Sequence, residues 1–283
     1  MLIYFLILGG IVLAGGTTFQ KRILNKKADP KLYQVLEFLA IIIVIIPLLF
    51  FFWKLEPGAW ELKNILIFSA IVIISVIANL FGFASIKGEK VNNLEPARIM
   101  NPLFIVLLAI LFSFLNPALY ERDFSVIIPA LIAGIALIVS HLKKYHLKFN
   151  KYFRFAIYAA FLSASEMVIS MLILDYYSPI SFYFLRCAAI FIISYIIFRP
   201  KMKGLTTKVE LQVLGIATLW VTYRVLIYYG FIYLGVMFTT LLSMLGPLFV
   251  YAFARIFLKE KIGWKNVAAS GVILACIAYV MLV

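Results

Sequence analysis

Nine residues inside long apolar stretches of this chain are the candidates to bind a polar solute or carry a proton: Glu37, Asn79, Asn101, Glu166, Arg186, Trp220, Tyr223, Arg224 and Ser243. Arg224 stands out, within Leu219-Trp220-Val221-Thr222-Tyr223-Arg224-Val225-Leu226-Ile227. A guanidinium there can grip a carboxylate or phosphate, or act as fixed counter-ion to an acid. Trp220 and Tyr223 fall on nearly the same side of a helix by their spacing, and would line the same site. Glu166, in Ser163-Ala164-Ser165-Glu166-Met167, is the carboxylate placed to cycle a proton. It lies about 13 residues into its apolar stretch, near mid-bilayer at roughly 1.5 Å per residue. The competing reading is a structural glutamate that bonds Ser163, Ser170 or a neighbouring helix. Glu37 and Arg186 are secondary candidates, each seven residues after a proline, Pro30 or Pro179. That depth suits a group bonding backbone or lining a cavity entrance as well as it suits contact with cargo. Direct pairing of Glu37 with Arg186 is not expected.

The elements that must position these side chains are membrane helices. The 283 residues are 65% hydrophobic and 13% charged, with mean hydropathy +1.07. A soluble domain carries about 25% charged residues. Apolar runs of the ~20 residues needed to cross ~30 Å of hydrocarbon recur along the whole chain. A central Arg facing lipid costs about 2.5–3.5 kcal/mol even on the lenient insertion scale, so Arg224 must face a protein-lined interior. The +14 net charge is explained by basic loops of a membrane protein and implies no nucleic-acid partner. Cys187 and Cys276 fall in separate apolar runs, and His141 and His146 flank a basic loop, so no metal site or cofactor is expected. The opening Met1-Leu2-Ile3-Tyr4 lacks the basic start of a signal peptide.

Ten spans are expected, over 2–22, 32–53, 64–86, 99–115, 124–140, 153–174, 179–198, 210–233, 236–258 and 264–282, separated by Gly, Pro, Asn and charge clusters. The loop 142–151 divides two similar five-helix repeats, 1–141 and 152–283. Asp29-Pro30 matches Ser178-Pro179, Asn101-Pro102-Leu103-Phe104 matches Gly246-Pro247-Leu248-Phe249, and Ala133-Gly134-Ile135 matches Ser270-Gly271-Val272. An odd number of helices per repeat inverts the second half. The odd-numbered connections and their flanks carry 20 of the 26 Lys and Arg, against only Lys54, Lys63 and Arg122 in the even-numbered ones. By the positive-inside rule, the odd connections are cytoplasmic and both termini external. Counting from Pro102 and Pro247, Asn79 of the third span is equivalent to Arg224 of the eighth. Both should face one central cavity, with Asn101 and Ser243 as further lining. Lys21, Arg22 and Arg255 are expected to snorkel from span ends, and Trp53, Trp60 and Trp264 to form the interfacial belt. Gly134 with Ala130 and Gly271 with Ala275 are expected to be close-packing faces.

Two five-helix repeats, a Pro-Leu-Phe near the start of each fourth helix, Phe257-Leu258-Lys259-Glu260-Lys261-Ile262 and a Gly-centred last helix resemble the EamA-type transporters of the drug/metabolite transporter superfamily. The first half departs from the pattern. Its connection through Asn116-Pro117-Ala118-Leu119-Tyr120-Glu121-Arg122-Asp123 is longer than usual, and 87–98 is unusually charged. The opening Leu8-Gly9-Gly10-Ile11-Val12-Leu13-Ala14 also resembles the first helix of the small multidrug exporters, which carry a coupling glutamate there. Gly15 and Gly16 occupy that region here, and Glu166 of the sixth span is the nearest match to the role.

The expected activity is that of a plasma-membrane secondary transporter, monomer or homodimer, exporting a small polar metabolite such as an amino acid in exchange for protons by alternating access. A zwitterion suits a cavity holding both Glu166 and Arg224. A flippase for a lipid or lipid-linked sugar and a multidrug exporter are the alternatives. An enzyme is not expected, because no acid–histidine cluster, phosphate loop or zinc motif is present.

Overall fold

The computed structural model describes residues 29–89, 91–120, 122–141, 150–200, 207–249 and 263–283. The span 2–22 with Gly15, Gly16, Lys21 and Arg22, most of the linking loop, Arg255 and the connection 257–262 lie outside the described residues. Those described form helices and turns, with no strand beyond one isolated bridge between Leu55 and Tyr177.

The helices are α1 (Pro30–Phe52), α2 (Leu62–Gly88), α3 (Val91–Arg98), α4 (Met100–Ser113), α5 (Phe124–His141), α6 (Lys151–Ser170), α7 (Pro179–Phe198), α8 (Thr207–Leu234), α9 (Val236–Ser243) and α10 (Trp264–Leu282). Seven helical stretches among the described residues are long and apolar enough to cross a membrane, so the chain is a multi-pass membrane protein. The outer faces of these helices carry bare Ile and Leu, such as Ile43, Ile73, Ile128 and Ile192, as contact with lipid requires. Trp53, Trp60 and Trp264 are exposed at helix ends.

Local chemistry explains where the helices begin. Asp29 and Ser178 are N-caps whose side chains accept from Lys31 N and Ser181 N, and Pro30 and Pro179 follow at N1, where a missing N–H costs nothing. The two X-Pro pairs matched in the sequence thus do the same work. Asn150 caps α6 by accepting from Phe153 N at 2.8 Å. Gly235 joins α8 to α9 at φ 75°, a left-handed turn that a side chain would strain.

Prolines explain where they break. Pro102 cannot donate to the Arg98 carbonyl, nor Pro247 to that of Ser243. Helix is interrupted just before each, at Ile99 and at Met244–Leu245, and resumes through the proline.

One expected connection is structured. The charged segment 87–98 includes α3, because Leu94 and Ala97, three apart, bury against α6. In the 114–123 turn, Arg122 reaches back to Ser113 O at 2.8 Å and covers the Phe114 ring at 4.3 Å. Asp123 then caps α5 through Ser125 N at 2.8 Å.

α6 packs against α2, α3 and α4; α1 lies against α2, α7 and α8; and α5 lies against α4, α9 and α10. Gly134 gives α5 its close approach, since a Cβ there would stand 3.2 Å from Leu103. For Gly271, a Cβ would meet nothing within 4 Å among the described residues.

Contacts sort the connections into two ends. At one, the residues after α1 meet those before α7: Glu56 N donates to Tyr176 O at 2.8 Å, Ser178 N to Lys54 O at 3.2 Å, and Lys54 N to Ser181 Oγ at 2.8 Å. Tyr120 joins this end, its hydroxyl donating to Val168 O at 2.7 Å. At the other end Asn150 Nδ2 donates to Glu89 Oε2 at 3.0 Å, and Lys31 Nζ lies 5.7 Å from the Phe198 ring.

Candidate functional site

Three helices bring three charges together. Glu166 of α6 is held between Arg186 of α7, Nη2 to Oε2 at 3.0 Å, and Arg224 of α8, Nη1 to Oε1 at 2.9 Å. The approaches are close, but the Glu166 oxygens do not align with the N–H directions as hydrogen bonds do. The contacts are ion pairs. Glu166 and Arg186 side chains are 1% and 3% exposed, whereas Arg224 is 14% exposed. One carboxylate and two guanidinium groups leave this cluster a net +1.

The two arginines are held differently. Arg186 donates to Ser75 Oγ from both Nε, at 3.1 Å, and Nη2, at 3.0 Å, and from Nη1 to Tyr228 Oη at 3.4 Å. Its guanidinium carbon lies 5.9 Å from the Tyr183 ring centroid. Ser75 is fixed in turn by donating to Ile71 O at 2.6 Å. Arg224 has, besides Glu166, the Ser163 hydroxyl 3.3 Å from Nη2. Arg186 is therefore anchored on α2, α7 and α8, while Arg224 crosses from α8 to α6 as a less restrained arm.

The extent of α6 differs from the expected 153–174. α6 ends at Ser170, so Glu166 lies one turn from its C-terminal end rather than near its middle. Arg186 is seven residues into α7 and Arg224 ten before the end of α8. At roughly 1.5 Å per residue, the cluster lies about 10–15 Å below the end that carries Tyr177.

The other expected residues are distributed around it. Trp220 and Tyr223 are half-buried on the Arg224 side of α8, with rings 6.0 Å apart and edge-on. Trp220 Nε1 is buried without a hydrogen-bond partner among the described residues. Such a donor costs about 1–3 kcal/mol until something accepts from it. Asn79, one turn from Ser75 on α2, spends its Nδ2 on Ser75 O at 2.7 Å. Asn101 donates to Ala160 O at 2.8 Å and ties α4 to α6. Ser243 donates to Thr240 O at 2.7 Å, just before the break in α9. Glu37 is buried on α1. Of the candidates, then, Glu166, Arg186 and Arg224 meet directly.

Ser75, Tyr183 and Tyr228 were not singled out in the sequence. The available signal was spacing: Tyr228 follows Arg224 by four, Ser75 precedes Asn79 by four, and Tyr183 precedes Arg186 by three. No group of three or more metal-ligating side chains occurs among the described residues.

A solved crystal structure described only as that of a protein matches with TM-score 0.65 at 15% identity, covering 99% of this chain and 96% of that one. It shows a shared fold over essentially the whole length. No curated protein matches the chain. Residues 151–282 match the EamA-like transporter family.

Proposed function

We propose, from the EamA-like transporter character of residues 151–282, that this membrane transporter is a secondary active exporter of a small polar metabolite such as an amino acid. It is coupled to protons and works by alternating access in the plasma membrane. The observation that carries this reading is the Glu166–Arg186–Arg224 cluster, buried among membrane-length helices with Arg224 its partly exposed member. Charges are costly at such depth and mark solute or ion pathways. Cargo would be bound by Arg224, Trp220, Tyr223, Asn79, Asn101 and Ser243, with Glu166 as the proton carrier.

The proposed architecture is two inverted five-helix repeats, 1–141 and 152–283. Support comes from the paired Asp29-Pro30 and Ser178-Pro179 caps and from the helix breaks before Pro102 and Pro247. Interrupted helices beside a central site are a recurrent transporter device.

Purified chain in proteoliposomes, loaded with unlabelled metabolites and offered labelled ones with and without a pH gradient, tests the activity. Counterflow of a soluble metabolite that responds to the gradient is the expected result. Scrambling of labelled lipid without any counterflow would replace this reading with that of a lipid or lipid-linked sugar flippase, which an arginine among aromatic rings also suits. A multidrug exporter of lipophilic cations is the poorer fit, because two arginines repel such cargo.

A further inference from the structure

Glu166 has no free oxygen to offer a cargo. Each of its carboxylate oxygens faces a guanidinium group, and its side chain is 1% exposed. What remains unsatisfied nearby donates hydrogen bonds. Arg224 is the partly exposed member of the cluster, and Trp220 Nε1, one turn earlier on α8, has no acceptor among the described residues. Arg224 is also the arginine with fewer restraints, since Ser75 and Tyr228 hold Arg186. In the resting arrangement, Glu166 occupies Arg224 as an internal stand-in for an anion.

Resting on the transporter reading, we infer that the cargo carries a carboxylate or phosphate group that displaces Glu166 from Arg224, and that Glu166 takes up a proton in the same event. Anion and proton then cross together.

The charges set the sign of the coupling. With the anion on Arg224, Glu166 keeps one cationic partner instead of two and gains an anionic neighbour. Both changes favour the neutral acid. Conversely, a protonated Glu166 releases its hold on Arg224 and leaves two guanidinium groups short of a counter-charge. Each ligand strengthens the binding of the other, and linkage makes the effect reciprocal. For an amino acid the carboxylate takes Arg224, and its ammonium group is held outside the cluster, since both arginines already hold Glu166. Export then follows the metabolite's own gradient and takes the proton out with it, rather than exchanging the two.

The titratable groups that face Glu166 come from α7 and α8. α7 brings Arg186, Tyr183 and Cys187; α8 brings Arg224, Tyr223 and Tyr228. α2 and α4 bring Ser75, Asn79 and Asn101, which do not titrate.

Calorimetric titration of the purified full-length chain in detergent with L-lactate and with sulfate, repeated in buffers of different ionisation enthalpy, reads protons taken up per anion bound. Uptake of up to one proton is expected, with affinity rising as pH falls by up to about tenfold per unit. Glu166→Gln should bind both anions independently of pH, and Arg224→Ala should bind them at least ~10-fold more weakly, one unpaired guanidinium contact being worth that much. Anion binding without proton uptake, or with proton release, overturns the inference, and this needs the unaltered protein alone. If counterflow carries amines while neither lactate nor sulfate binds, the transporter reading stands and this inference falls. If lipid scrambles and no soluble solute is carried, phosphatidate in mixed micelles becomes the anion. Proton uptake on its binding would keep the inference while the metabolite reading fails, and no binding of any of the three ends it.

Discussion

Arg186 and Arg224 touch the same carboxylate but should differ on removal. Arg186→Ala leaves Ser75 and Tyr228 without a donor and Glu166 with one partner at a fully buried position. Breaking such a pair costs about 3–5 kcal/mol. Arg224→Ala should cost less, about 1–3 kcal/mol, because Glu166 keeps Arg186 and the lost hydroxyl contact to Ser163 is long. Adding Glu166→Gln should recover much of the first loss. Melting curves of the single and double variants in detergent read this order, and equal losses would mean that Arg224 is as structural as Arg186. Arg224 and Glu166 stood out in the sequence because an intramembrane charge announces itself. The part of Arg186 was not, since its distance from Pro179 sets a depth along α7 but not the direction in which the side chain points. Only the rotation of α7 against α6 and α2 aims it at Glu166 and Ser75.

Helix positions were legible nearly to the residue wherever a cap marks them, as at Asp29-Pro30 and Ser178-Pro179. They were less so where packing decides. α3 reads as a charged connection because its burial rests on Leu94 and Ala97 against a helix that lies 57 residues on at its nearest end. The two matched glycines separate in the same way. Gly134→Ala must push Leu103 aside, whereas Gly271→Ala meets nothing within 4 Å among the described residues and gains helix propensity. The expected outcome is a loss of about 1 kcal/mol or more for the first and a gain of about 0.5–1 kcal/mol for the second, by thermal unfolding in detergent. Tyr120→Phe should cost about 1–2 kcal/mol, since it removes the buried bond to Val168 O. Burial pushes the Tyr120 hydroxyl above its usual range, so that loss should not vary with pH up to the ordinary tyrosine range.

Across the whole molecule, the charge pattern and the contacts agree on which connections share an end. The basic ones include those meeting at Glu89–Asn150 and Lys31–Phe198, and the sparsely charged ones those meeting at Lys54–Ser181 and Tyr120–Val168. Which end faces the cytoplasm is a separate question. Cysteine at Asp175, in a chain with Cys276 replaced, should react with an impermeant maleimide in intact cells, and cysteine at Lys151 should not. Both positions are exposed, so reversed labelling would turn the orientation over without touching the fold. The multi-pass character was readable because it depends on length and hydropathy, which are additive along the chain. The meeting of α6, α7 and α8 depends on how faces fit, which is not.

The junction of 54–56 with 176–178 has its own implication for how such a chain can change over generations. Two of its bonds run from main chain to main chain, Glu56 to Tyr176 and Ser178 to Lys54, so they place no demand on side-chain identity. Related chains can lose every recognisable residue there and keep the fastening, provided that no proline arrives at position 56 or 178. A search for shared motifs would then pass over a feature that lineage after lineage could inherit as shape alone.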